Sequence, residues 1–356
     1  MNEIVLSVAR QLASDDSIPW KRYEGKDVVI TGATGLLGQN LTQAMLCRAE
    51  MTHSEGRILL PVRNTKKAKH IFGENERLWV MQWEAGDGHV DLPNDFSPSY
   101  IFHCANPTDS AGFAQQPIET IDATIGGARC MLDLAKATGA SLCILSTMET
   151  YGQVDTERPI DETSGGFLDA MEVRNSYPEA KRLVECLSAS YASELGTDVK
   201  VARLTQTFGP GVAPGDRRVF AEFARCACSG KDIVLLTDGS KRNSYLYTAD
   251  AVSALLYVGA LGEPGLAYNA ANDETYCSIR EMADLVANQI ANDEISVRVE
   301  IDDEAAKRFR KGSVLNLDTT RLRALGWRPR VGLLEMYERM IASWECGCIT
   351  RRSRDV

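Results

Sequence analysis

A tyrosine and a lysine stand four residues apart in Tyr177-Pro178-Glu179-Ala180-Lys181. On a helix this spacing places a phenol and an ammonium on one face, a single turn from each other. A cation so close favours the phenolate and is expected to draw the phenol's pKa down towards neutrality. A phenol tuned in this way can take a proton from a hydroxyl while hydride leaves the same carbon for a nicotinamide ring. Upstream, Ser146-Thr147-Met148-Glu149-Thr150-Tyr151-Gly152 supplies two partners. Thr147 can share a hydrogen bond with that hydroxyl. Glu149, two residues on, is expected on the same side of an extended segment. It then serves as a base or orienting group beside the reacting ring, or else simply holds a neighbouring loop.

Such chemistry needs a dinucleotide, and residues 26–38 offer the means to hold one. The apolar run Val28-Val29-Ile30 leads at once into Gly32, Gly35 and Gly38, then into the helical pattern Leu41, Ala44, Met45 and Cys47. This order reads as a buried strand, a tight turn and a helix. Gly32 permits the turn, Gly35 admits a pyrophosphate to the backbone, and Gly38 allows close helix–strand packing. Thr34, Leu36 and Leu37 fall in the same turn, where free N–H groups and the positive helix end favour phosphate.

The remaining elements follow in alternation. Arg57–Asn64 reads as the second strand, Leu78–Trp83 as the third and Tyr100–Ala105 as the fourth. A long helix over 118–138 precedes the fifth strand at Ser141–Leu145. Strands and helices alternating at this spacing predict a Rossmann-type, doubly wound parallel α/β sheet with ligands at the carboxyl ends of its strands. At the end of the second strand an acid is expected for an NAD ribose, but the chain has Arg63-Asn64, then Lys66 and Lys67. Arg63 can receive a 2′-phosphate, which favours NADP, or it can begin a solvated basic helix. Asp87 is placed to meet an adenine edge. Ala105 and Asn106 close the fourth strand beside the cofactor, and Pro107 follows towards the substrate. His103 lacks a partner acid or cysteine and reads as a core histidine.

Residues after Phe208 form a smaller α/β substrate lobe. The expected partition is an N-terminal helix and linker (1–24), the dinucleotide-binding lobe (25–207 with 244–262), the substrate lobe (208–243 and 263–345) and a tail (346–356). Arg218 and Arg242 are assigned to a diphosphate, because a guanidinium matches phosphate in a bidentate fork. Arg217 can add to them or be a solvated charge. Tyr268–Asn272 reads as a strand leading into a helix over 279–290. The tail, with Arg351, Arg352 and Arg354, is expected to be disordered.

Bulk composition is that of a globular chain: 356 residues, 44% hydrophobic and 25% charged. A net charge of −10 argues against a nucleic-acid partner. No apolar stretch approaches a membrane span, and the first residues lack a secretion signal, so a cytoplasmic location is expected. Ten cysteines are scattered without zinc-type spacing, which predicts reduced thiols and no metal.

Taken together, Thr-Gly-Ala-Thr-Gly-Leu-Leu-Gly (31–38), Ser146–Gly152 and Tyr177–Lys181 resemble the extended short-chain dehydrogenase/reductases, the NAD-dependent nucleotide-sugar epimerases and dehydratases. Ala202–Gly211, Tyr247–Asp250 and Leu317–Trp327 extend the likeness over roughly residues 25–345. The resemblance implies Tyr177 and Lys181 as the catalytic pair, Thr147 as helper, and a tightly bound NAD(P) that is reduced and reoxidised within one turnover. It also implies a homodimer built on the helices around 118–138 and 176–195. Within the family the chain is most similar to UDP-glucuronate decarboxylases. Those carry an arginine three residues before the tyrosine, matched by Arg174, and an arginine meeting sugar carboxylate or phosphate, which maps onto Arg242.

The departures redirect the expectation. Met148 stands where 4,6-dehydratases have a proton-donating aspartate and decarboxylases a serine, and a thioether donates no proton. Gln206 replaces a substrate-contacting asparagine, and Thr124 another family asparagine. The reading that results is a nucleotide-diphosphate-sugar enzyme working through transient oxidation at carbon 4, most like a decarboxylase. A 4-epimerase or related dehydratase is the alternative, and an NADP-linked reductase or a non-catalytic redox sensor stands further off.

Overall fold

The computed structural model describes residues 2–106, 110–154, 156, 158–302 and 315–345. Pro107 and the tail therefore lie outside the described residues. The chain opens with α1 (Glu3–Ser14), β1 (Asp27–Thr31), α2 (Leu36–Thr52), β2 (Ile58–Val62), α3 (Thr65–Phe72), β3 (Leu78–Gln82) and β4 (Pro98–His103). It continues through α4 (Ser110–Gln115), α5 (Pro117–Thr138), β5 (Ser141–Thr147), α6 (Ser176–Leu195), β6 (Val199–Leu204) and β7 (Gln206–Phe208). Then come α7 (Val219–Ser229), β8 (Ile233–Leu235), β9 (Arg242–Tyr247), α8 (Thr248–Leu261), β10 (Ala267–Ala270) and β11 (Asn272–Ser278). The last described elements are α9 (Ile279–Leu285), β12 (Val297–Val299), α10 (Thr320–Ala324) and α11 (Leu333–Glu345).

Seven parallel strands make the main sheet in the order β3-β2-β1-β4-β5-β6-β10. The order reverses between β1 and β4, so a crevice opens at their carboxyl ends, as in Rossmann-type α/β folds. Burial on both faces explains the unbroken apolar runs: Val28, Val29, Ile30, Ile101 and Phe102 are all buried. α8 is apolar nearly all round because it lies between the sheet and α2, with Val252, Leu255, Leu256 and Val258 inaccessible to solvent.

A second core gathers Phe208, Phe220, Phe223, Tyr245, Tyr247, Met282, Met336, Tyr337 and Met340. Its three-stranded sheet runs β11-β9-β7, with β11 antiparallel and β7 parallel to β9. The expected single strand over 268–272 divides at Ala271: β10 joins the main sheet and β11 the small one. The helix expected over 279–290 starts with a capping box between Ser278 and Glu281 and ends in one π-turn, Val286–Ile290. The second strand stops at Val62, earlier than expected, because Asn64 caps α3 by accepting the Lys67 N–H at 2.8 Å.

α1 buries Val5, Val8, Ala9, Leu12 and Ala13, a helical stripe set against α2. Trp20 locks the following turn by donating to the Leu12 carbonyl at 3.1 Å. The segment also reaches α11: the Asn2 side-chain amide donates to Ser343 O at 2.7 Å. Arg330 adds an ion pair to Asp15 at 2.8 Å.

Candidate active site

The glycine turn is built by contacts that exclude a β-carbon. Gly32 has φ +67°, and a Cβ there would fall 2.6 Å from Ala105 N and Cys104 C. A Cβ on Gly38 would lie 2.4 Å from Gly32 O, so the helix rests directly on the turn. Gly35 is the N-cap of α2 in ordinary extended backbone, and no side chain caps the helix. The first-turn N–H groups, those of Leu36, Leu37 and Gly38, therefore have neither an intrahelical nor a side-chain partner. Thr34 is half-buried in the same turn. Beside it the Thr31 hydroxyl accepts from Ala105 N at 3.2 Å and meets His103 Nδ1 at 2.8 Å, tying β1 to β4. His103 is wholly buried; burial first, and then the Lys181 charge, hold its pKa down to about 3, so the ring is neutral. Asn106 presents a buried Oδ1 without a partner among the described residues. A cradle with close-packed glycines, an uncapped helix start and an unsatisfied amide suits a dinucleotide.

Arg63 is exposed at the end of β2, and among the described residues only its carbonyl is engaged, by Gln82 Nε2 at 2.8 Å. Asp87, expected at an adenine edge, follows β3. One of its carboxylate oxygens accepts the Glu84 N–H at 2.7 Å and closes the turn after β3.

Tyr177 and Lys181 lie in the first turns of α6. The Lys181 ammonium is buried, donates to Leu145 O at 2.5 Å and sits 6.0 Å from the Tyr177 ring centre. Burial lowers its pKa to about 7, against the opposing pull of Glu185 and Cys104. The phenol contradicts the sequence expectation. Burial first, then the Glu149 charge, raise it above its ordinary value instead of towards neutrality. Its ring is stacked on Phe113 at 4.4 Å and 10°, and the Ser176 hydroxyl pins that segment by donating to Phe113 O at 2.9 Å.

After β5 the backbone turns into a 3₁₀ helix, Met148–Tyr151, so Thr147 and Glu149 are not related by strand alternation as expected. The Thr147 hydroxyl causes the turn by accepting the Glu149 N–H at 3.2 Å. Glu149 pairs with Arg174 at 3.3 Å, and Arg174 lies 6.0 Å over Phe113, which joins these groups to Tyr177. Met148 points away from this cluster. It is buried with Tyr151, Ile160, Leu315 and Leu317, and its sulfur accepts from the Thr205 hydroxyl at 3.2 Å.

Of the positions expected to meet substrate, Gln206 begins β7 with a buried Oε1 that has no partner among the described residues. Arg218 is clamped by Asp216 at 2.6 Å over the Phe220 ring, and Arg242 by Glu281 at 2.9 Å over Tyr276. Arg217 is exposed. Thr124 is buried and donates to Thr120 O within its own helix. Sequence reasoning passed over Phe113, over the carboxylates that hold these arginines, and over the buried group around Glu185 and Arg203. Asp216, two residues before Arg218, was the one signal within reach.

A doubly wound sheet, a glycine cradle at its strand ends and a Tyr–Lys pair on the neighbouring α6 are the parts that a dinucleotide-dependent oxidoreductase-type site needs. Residues 28–271 match the NAD dependent epimerase/dehydratase family, and the chain belongs to it. UDP-glucuronic acid decarboxylase 1 of Xenopus tropicalis is 29% identical over 317 residues, covering 87% of this chain and 70% of that protein. The UDP-glucose 4-epimerase of Thermotoga maritima, solved with UDP-glucose, superposes with TM-score 0.74 at 19% identity, over 90% of this chain and 99% of that one. The dTDP-glucose 4,6-dehydratase of Bacillus anthracis str. Ames, solved with NAD, gives TM-score 0.72 at 17% identity, over 90% and 96%.

Proposed function

We propose that this chain modifies a nucleotide-diphosphate sugar by transient oxidation at carbon 4, most like a UDP-glucuronate decarboxylase. The observation that carries this reading is the cluster Tyr177, Lys181, Glu149 and Arg174 at the end of β5, beside the glycine cradle. Gly32, Thr34, Gly35, Leu36, Leu37, Gly38, Ala105 and Asn106 would hold the dinucleotide, which when bound would supply a reversible hydride acceptor for carbon 4. Tyr177 takes the proton from the 4-hydroxyl, and Thr147 shares that hydrogen bond. Lys181 keeps a positive charge beneath the phenol, offsetting the burial that raises it. Arg174, over the Phe113 ring that stacks on Tyr177, supplies a second cation. A sugar carboxylate draws it from Glu149, whose carboxylate then orients the ring or moves a proton. Gln206, Arg218 and Arg242 face the sugar and diphosphate, the two arginines exchanging Asp216 and Glu281 for phosphate; Met148 lines the site only from behind.

Incubation with UDP-glucuronate tests the proposal. Release of carbon dioxide and a UDP-pentose identifies a decarboxylase, whereas a product of unchanged mass from UDP-glucose identifies the 4-epimerase alternative. Tyr177→Phe should abolish either conversion with folding intact, and full activity in that variant would defeat the scheme. Exposed Arg63 at the end of β2 favours a second reading on the cofactor, NADP in place of NAD. Stoichiometric consumption of NADPH would mark a reductase. Exposed Ile118 and Ile121 on α5 and Leu183 on α6 support a homodimer, which sedimentation velocity checks. A cytoplasmic location completes the reading.

A further inference from the structure

Behind the Tyr–Lys pair lies a buried polar group that the chemistry above does not use. Glu185 sits one helical turn beyond Lys181 on α6, and its carboxylate is almost enclosed. Three donors converge on it. The Ser146 hydroxyl reaches Oε1, Arg203 Nε reaches both oxygens at 3.1 Å, and Arg203 Nη2 reaches Oε2 at 2.6 Å. Arg203 is fixed from behind: its Nη1 donates to Tyr151 OH and Glu162 O, each at 2.9 Å, and its guanidinium lies 4.9 Å over the Tyr151 ring. Tyr151 OH in turn donates to Asn269 Oδ1 at 2.7 Å. One network therefore joins β5, the 3₁₀ turn after it, α6, β6 and β10. Ser146 stands between Leu145, whose carbonyl accepts the Lys181 hydrogen bond, and Thr147.

We infer that Glu185 is a positioning residue for the site proposed above: through Ser146 and Arg203 it fixes the end of β5 against α6, and it sets a negative charge one helical turn from the Lys181 amine. A packed hydrocarbon would hold β5 and α6 together equally well, at less desolvation cost. What a carboxylate adds is charge, one turn from an ammonium that has no carboxylate among its hydrogen-bond partners in the described residues. The other groups facing Lys181 are ill suited to replace it. Cys104 and neutral His103 come from β4 and its end, the phenol of Tyr177 from α6, and Leu145 offers only a carbonyl. Arg203 has the opposite influence, because it neutralises part of the Glu185 charge. The two members of the pair therefore push the Lys181 proton in opposite directions.

This inference shares its site with the proposed function, yet its test needs no substrate. Lysine side chains labelled with carbon-13 and nitrogen-15 are titrated by NMR in the full chain, with Lys181→Arg assigning the resonance. The native amine should titrate near 7. Glu185→Gln should lower that midpoint by about one pH unit, and Arg203→Gln should raise it by a similar amount. Glu185→Asp should restore much of the native value. Midpoints that stay in place, or move the same way in both variants, would reduce the pair to packing and overturn the inference. So would a native amine titrating in the ordinary lysine range. If one variant fails to fold, the sign of the shift in the other still decides. Failure to turn over any nucleotide sugar would count against the proposed function alone.

Discussion

Replacing Gly38 and Gly35 one at a time by alanine separates the structural from the ligand-binding duty of the glycine turn. In Gly38→Ala the new methyl would sit 2.4 Å from Gly32 O, 2.7 Å from Gly32 C and 2.9 Å from Ala33 Cα. All three are backbone atoms, so no side chain can swing aside. Relief requires α2 to move from β1 by roughly an ångström, and overpacking of that kind costs about 1–3 kcal/mol. In Gly35→Ala the methyl meets only Gly32 O, at 3.3 Å, on backbone that any residue adopts. A shift of a few tenths of an ångström accommodates it, so the loss of stability should stay below about 0.5 kcal/mol. Binding should reverse the ranking of interest: the Gly35 methyl stands over the uncapped helix start, where a pyrophosphate must approach the N–H groups. A loss of tenfold or more, about 1.4 kcal/mol, is expected for NAD and NADP with Gly35→Ala. Urea unfolding and calorimetric titration of each cofactor read the two quantities separately. Native cofactor affinity in Gly35→Ala would refute the placement of the dinucleotide. Native stability in Gly38→Ala would refute the close packing of helix on turn.

Arg63→Ala should weaken NADP at least tenfold while leaving NAD within about twofold, read as a ratio of dissociation constants; equal losses would make Arg63 a general surface charge. The buried Lys181 makes stability pH-dependent. Its folded pKa, about 7, lies below the ordinary 10.5, so between these values the unfolded chain binds the extra proton. Stability should accordingly rise with pH across that window, and Lys181→Met should flatten the slope in urea titrations at pH 7 and 9. A parallel slope in the variant would mean that the amine keeps its ordinary affinity for protons.

Much of the first lobe was legible because each local signal agreed with the global arrangement. Val28-Val29-Ile30 before Gly32 and the α5 periodicity needed no distant partner to be read. The carboxyl end of β5 was misread for a local reason. Thr147 can either continue a strand or cap a turn, and its hydroxyl chose the Glu149 N–H. The phenol of Tyr177 was misjudged because the opposing terms depend on burial, and the Phe113 ring that covers it lies 64 residues upstream. The arginines show the same limit. That Arg242 would be held by Glu281 depends on the β9–β11 pairing, which no short window reveals. The inward turn of Met148 follows from the Thr205 hydroxyl and Leu315, again remote in the chain.

The bond from Asn2 to Ser343 spans 341 positions. At a ribosomal pace of about 5–20 residues per second, the leading helix waits roughly 20–70 seconds for the partner that fixes its end. During that interval Val5, Val8 and Leu12 can settle on α2, but the amide that starts the helix lacks its final acceptor. A nascent chain halted before residue 343 therefore carries an α1 whose Asn2 amide still lacks the acceptor that ties it to α11.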